Sequence, residues 1–147
     1  MKKEIRFYNV FFPIWMLLLF WQTWMVVLPG NFLFDSLVLY LAMRAMKLPE
    51  KMCFYKKHIW WIFLFGMLAD FIGAGCLFGV LYLDWSHTGD EPYFTIPAMI
   101  LSGILIYVFN YCVTFRKCEK PLRRRLSLTL AIATAPYTFV IPVSWIY

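Results

Sequence analysis

The charged residues of this sequence are segregated. Runs of about 20 residues that hold almost none alternate with short polar stretches that hold nearly all of them, the signature of segments that cross a bilayer. A backbone in hydrocarbon must satisfy its own hydrogen bonds, and segments of this length do so as helices. Hydrophobic residues make up 63% of the 147 and charged residues 15%, against roughly half and a quarter in a soluble domain. Too little polar surface exists to cover a water-facing exterior. The expectation is an all-α membrane protein, a single polytopic domain over residues 1–147 built as a bundle of about five transmembrane helices.

The helices are expected at 10–28, 31–46, 59–83, 96–115 and 126–146. The first is longer than a typical signal-peptide core and ends in Pro29-Gly30-Asn31 rather than a small-x-small cleavage site, so it reads as an uncleaved helix with Pro13 in its first turn. Pro29-Gly30 reads as a turn, the outer hairpin between the first helix and a second that is short for a span. Pro136 and Pro142 are expected to kink the fifth helix, with Thr134 and Thr138 placed to bond the freed carbonyls. Trp15, Trp21 and Trp24, Tyr55 with Trp60 and Trp61, and Trp85 with Tyr93 read as interfacial belts.

Five crossings put the termini on opposite sides, and the basic residues choose between them. Lys2, Lys3 and Arg6 precede the first helix. Arg44, Lys47, Lys51, Lys56 and Lys57 flank the connection between the second and third. Arg116, Lys117, Lys120, Arg123, Arg124 and Arg125 fill the connection between the fourth and fifth. All fourteen fall on one side, which by the positive-inside rule places the N-terminus in the cytoplasm and the C-terminus outside. The protein is expected in a plasma membrane, as in a bacterial cytoplasmic membrane, with its basic face against anionic headgroups. The net charge of +6 and pI near 9.2 are thereby explained as topology rather than nucleic-acid binding.

Two acids remain inside the spans, Asp35 and Asp70. An aspartate at the bilayer centre costs about 2.5–3.5 kcal/mol on insertion scales, so such residues face protein and are often functional. Gly66, Gly73 and Ala74 share a helix face with Asp70, and small residues there let a second helix approach and bury the acid. Asp35 has Asn31 one turn away and Ser36 beside it; Gly103, Asn110 and Thr114 share a face of the fourth helix, with Tyr107 at its edge. These faces are expected to converge on a proton, ion or substrate site of Asp35, Asp70, Asn31 and Asn110, with shallow Asp35 at the mouth and Asp70 at the floor. The bland alternatives are an interfacial Asp35 favoured by a helix N-terminus and an Asp70 that is hydrogen-bonded glue between helices. Gly66, Gly73, Gly75 and Gly79 are read as helix-packing positions, the last two as a G-x-x-x-G patch.

No pattern identifies a cofactor or metal site. Cys53, Cys76, Cys112 and Cys118 form no C-x-x-C pair, and no His stands near them at zinc spacing. His58 reads as interfacial, and His87 as part of a solvated acidic loop with Asp84, Asp90 and Glu91. Signatures of intramembrane serine, metallo- and GxGD aspartic proteases are absent, and an aspartic dyad needs two carboxyls sharing one proton. The reading leans away from an enzyme. It leaves a proton- or cation-linked transporter or channel-like subunit, working as a homo-oligomer or in a larger membrane complex, or else a non-catalytic accessory, assembly or anchoring subunit.

Overall fold

The structure is a computed structural model that describes residues 21–83 and 92–137. Expectations that fall on residues 1–20, 84–91 and 138–147, including Lys2, Lys3, Arg6, His87 and Pro142, lie outside the described residues. Among those described there is no strand, and four helices follow in order. They are α1 (Trp21–Ala45), α2 (Lys51–Leu83), α3 (Pro92–Phe109), which continues into a π-helical turn at Asn110–Thr114, and α4 (Lys120–Ala133). Trp24–Ala45, Lys51–Val80 and Thr95–Thr114 are each long and apolar enough to cross a membrane. Only 22% of the most apolar window of each is buried within the fold. The remaining surface, with Met25, Leu33, Trp60, Leu64 and Ile104 exposed, is apolar and suited to hydrocarbon rather than water.

The expected hairpin at Pro29-Gly30 does not form. Both residues lie inside α1, a continuous helix of 25 residues. Length explains the difference: residues 31–46 alone would rise about 24 Å, short of a hydrocarbon core of about 30 Å, whereas Trp21–Ala45 rises about 37 Å. Pro29 removes one backbone donor, a loss that membrane helices tolerate, and it lies exposed on the outer surface of α1. Gly30 has open space where a Cβ would stand. The first two expected helices are therefore one from Trp21 onward, and the described residues do not support the count of five or the terminal orientations deduced from it.

The end of α1 is set by local chemistry. Lys47 adopts a left-handed φ of 51°, its N–H donates to Arg44 O at 3.2 Å, and Leu48 N–H donates to Met43 O at 3.2 Å. This is a Schellman closure with lysine where glycine is usual. Helix α2 begins at Lys51, two turns before the expected 59, and pairs with α1 in the antiparallel sense.

At the far end, the π-turn is closed by Phe115 N–H donating to Asn110 O at 2.9 Å. Phe115, fully buried, packs against Phe54 and His58 of α2 with ring centroids 6.0 and 5.4 Å apart. The α1–α2 and α3–α4 connections thus meet at one end of the bundle. The buried core lies toward that end, where Leu39, Met43, Ile59, Ile62, Ile106, Leu126 and Leu130 pack together. Helix α4 stops at Ala133 instead of running to 146 with a kink. Pro136 drives the residue before it out of helical geometry, Thr134 Oγ1 donates to Leu130 O at 2.8 Å, and the Tyr137 hydroxyl donates to Ile132 O, the carbonyl that Pro136, lacking an N–H, cannot bond.

Candidate functional site

One group of polar side chains in the spans lies along the seam between α1 and α2. Beginning at the end away from the basic connections, Trp24 stacks on Phe71 with centroids 4.9 Å apart. Asn31 Nδ2 then donates to Met67 Sδ at 3.9 Å, and Phe32 meets Phe63 edge-on at 5.5 Å. Asp35 follows, 6% exposed, with its Oδ2 3.6 Å from where a Gly66 Cβ would stand. Nearer the basic end, Ser36 and the Tyr55 hydroxyl share a hydrogen bond of 2.8 Å. A small residue at 66 leaves the Asp35 carboxyl its room, since even an alanine Cβ there would stand at an ordinary van der Waals distance.

Asp70 lies one helical turn beyond Gly66, about 6 Å along α2. Its Oδ1 is buried and has no hydrogen-bond partner among the described residues. No Lys or Arg stands in α1 from Trp21 to Met43 or in α2 from Ile59 to Leu83. A pocket of about 20 Å³ adjoins Asp70, lined by Trp24, Val27, Asn31, Met67, Asp70 and Phe71.

With α1 continuous, Asp35 is about 15 Å from Ala45 along the axis, near the middle of the helix. Asp70 is a turn further from the basic end.

Asn110 does not join them. On α3 the residue level with Asp70 is Ser102, fully buried, whose Oγ donates to Ala69 O at 3.0 Å. Asn110 stands about 12 Å further along α3, where its Nδ2 donates to Ile106 O at 2.9 Å. Asn110 Oδ1, Thr114 Oγ1 and Ser127 Oγ are buried without partners among the described residues, and they form a second polar region beside the π-turn. Gly103 faces α4 rather than the acids, its Cβ position 3.8 Å from Ala131 O. Of the small residues on α2, Gly66 packs against Asp35 and Gly73 is buried, whereas among the described residues nothing lies within 4 Å of where a Cβ would stand at Gly75 or Gly79.

His58, expected at the interface, is buried. Its Nδ1 lies 2.8 Å from Phe54 O, and its ring packs against both Phe54 and Phe115. The pairing of Ser36 with Tyr55 and the bond from Ser102 escaped sequence reading, because a tyrosine near basic residues reads as a belt and a lone serine in an apolar helix carries no pattern. No group of three His, Cys, Asp or Glu that could hold a metal occurs among the described residues. Eleven of the fourteen basic residues, Arg44, Lys47, Lys51, Lys56, Lys57, Arg116, Lys117, Lys120, Arg123, Arg124 and Arg125, lie at one end of the bundle. There Arg123 lies over the Tyr111 ring, 3.8 Å from its centroid, and its Nε donates to Tyr111 O at 2.5 Å. Burial pushes the Cys118 thiol up, opposed by Lys57 and Arg123.

What the helices and the seam define is a class: a protein whose described residues are helical, with three apolar helices of membrane-spanning length, a buried Asp35 and a half-buried Asp70 along one helix pair. No protein-family model matches the chain, and no curated protein or solved structure is similar to it.

Proposed function

We propose that this protein is a proton- or cation-linked transporter or channel-like subunit in which Asp35 and Asp70 bind the moving charge. The observation that carries the reading is the pair of carboxyls about one helical turn apart on the α1–α2 seam, in helix stretches that hold no Lys or Arg. Intramembrane acids without a basic partner are costly, and proton or ion pathways are where such residues are used. The membrane is a cell membrane of the bacterial cytoplasmic type, and the end bearing the eleven basic residues faces the cytoplasm against anionic headgroups. Trp21 then lies on the outer side, and the pathway runs from Asp70 inward to Asp35. A single copy is small for a complete pathway, so the working form is a homo-oligomer or part of a larger complex. Reconstitution into proteoliposomes tests the proposal. Asp70→Asn abolishes flux if it holds, and flux unchanged by that substitution overturns it.

A second reading has its own observation. Gly75 and Gly79 leave an unpacked small-residue patch on α2, which suits an accessory or anchoring subunit that docks a partner helix. Co-purification of a second membrane protein in mild detergent, lost on Gly79→Leu with flux absent throughout, would favour this reading over transport.

A further inference from the structure

We infer that the outer face of α4 is a site for one anionic phospholipid of the leaflet at the basic end, its phosphate on Arg124 and Arg125 and an acyl chain along Leu128 and Ile132. The inference rests on the membrane placement proposed above and narrows its diffuse headgroup contact to one site. It does not depend on transport.

Charge comes first. Residues 116–125, the connection into α4 and its opening turns, hold six cations and one acid, Glu119. The first turn of α4 carries no acid, and the Glu119 side chain makes no capping bond. Cations at this end oppose the helix dipole, which favours anions there. Lys120 and Arg124, four residues apart, also repel one another. Both Arg124 and Arg125 are exposed, and among the described residues no acid pairs with either. A phosphate relieves both conflicts. A guanidinium presents a planar fork of donors that phosphate oxygens accept two at a time, so adjacent arginines hold a phosphate where scattered lysines only attract it.

Depth comes second. Arg123, on the inner side of α4, is spent on Tyr111, close to the Thr114 end of the apolar span. The first turn of α4 therefore stands at the membrane boundary, the level of the phosphates. From there α4 runs back antiparallel to α3, with the Cβ position of Gly103 3.8 Å from Ala131 O and 3.9 Å from Ala135 Cβ. Its inner face is buried through Leu126, Ser127, Leu130 and Ala131. Helical spacing places Arg124, Arg125, Leu128 and Ile132 together on the opposite side, where Leu128 is 48% and Ile132 60% exposed. Thr129 borders that face but spends its hydroxyl on Arg125 O at 2.9 Å. Cations followed by bare hydrocarbon over about 12 Å of helix is the order of a phospholipid read from its phosphate into the leaflet. A soluble anion would leave Leu128 and Ile132 uncovered.

Thermal unfolding of the whole protein in mild detergent, followed by helical ellipticity, tests this with added phosphatidylglycerol, phosphatidylcholine of the same chains, or inorganic phosphate. Phosphatidylglycerol is expected to raise the Tm, and the other two to leave it in place. The rise is expected to disappear in Arg124→Gln/Arg125→Gln and to shrink in Arg124→Lys/Arg125→Lys, which keeps the charge but loses the forks. It is expected to survive in Lys56→Gln/Lys57→Gln, which removes the same charge from α2. Equal loss in both glutamine pairs would overturn the site and leave diffuse contact with anionic headgroups standing. An equal rise with inorganic phosphate would overturn it in favour of a free anion. No preference of the wild type for phosphatidylglycerol over phosphatidylcholine would overturn the headgroup reading as well. A second measurement needs no variant. Wild-type protein extracted from vesicles of equal parts of the two lipids is expected to keep one phosphatidylglycerol per chain in native mass spectra. Retention of both lipids alike, or of neither, as in a lipid-free dimer, would overturn the site.

Discussion

Substitution of Gly66 isolates the contact on which the acid seam depends. An added Cβ would stand 3.6 Å from Asp35 Oδ2, an ordinary van der Waals separation, so alanine fits without moving the carboxyl. Alanine also relieves the conformational cost of glycine in a helix interior, about 0.5–1 kcal/mol. Gly66→Ala should therefore leave stability unchanged or raise it by up to about 1 kcal/mol. Leucine is different, because its branch extends beyond Cβ into the space of the carboxyl. It must displace Asp35 or part α1 from α2, and overpacking of this kind costs about 1–3 kcal/mol. The assay is reversible unfolding in mixed micelles with increasing SDS, followed by helical ellipticity. A loss on Gly66→Leu that is relieved in the Asp35→Ala background would confirm that the clash is with Asp35. Equal stability of the alanine and leucine variants, or a leucine penalty independent of residue 35, would refute the placement of Asp35 over Gly66.

Three further outcomes follow from the same geometry. Lys47 holds a left-handed φ of 51°, a conformation that costs an L-residue roughly 1–2 kcal/mol, so Lys47→Gly should stabilise the protein by about 1 kcal/mol in the same unfolding assay. A double-mutant cycle on Ser36→Ala and Tyr55→Phe should give a coupling of about 0.6 kcal/mol, the usual value for a hydrogen bond between membrane helices; additive effects would mean that the 2.8 Å bond does not persist in the bilayer. Cys53 and Cys118 lie at the same end of the bundle, so in inverted vesicles both should react with an impermeant maleimide, and in right-side-out cells neither should. Because the reactive form is the thiolate and burial pushes the Cys118 thiol up, its labelling should be slow at neutral pH and accelerate as the pH rises.

The helical fold was legible because charge segregation is a property of whole segments, and that an acid inside a span faces protein was legible from its cost in hydrocarbon; Gly66, however, was read as the face of Asp70, and its place opposite the Asp35 carboxyl was not. The connection of the first segments was misread for a reason that lies in the solvent. Pro-Gly marks a turn where water can take up the freed backbone groups; within a span, a turn leaves those groups unpaired, and a helix that loses one donor at Pro29 is the lesser cost. Asn110 was misplaced because sharing a face with Gly103 says nothing of how far along α3 each lies, and the π-turn at Asn110–Thr114 shifts the face as well. The bond from Ser102 to Ala69 O depends on the register of α2 against α3, which no spacing within one helix reveals.

The passage of α1 straight through Pro29-Gly30 decides whether the acids share one seam at this register, and thiol cross-linking measures it most directly. In a background with the four native cysteines replaced by serine, paired cysteines are introduced at Trp24 and Phe71, whose rings stack 4.9 Å apart, and separately at Asn31 and Met67, whose side chains touch at 3.9 Å. A continuous helix predicts that a short bifunctional maleimide joins both pairs in the membrane. Cross-linking of 31 with 67 but not of 24 with 71, together with a cross-link between cysteines at 24 and 35, would show a hairpin at Pro29-Gly30 and contradict the account.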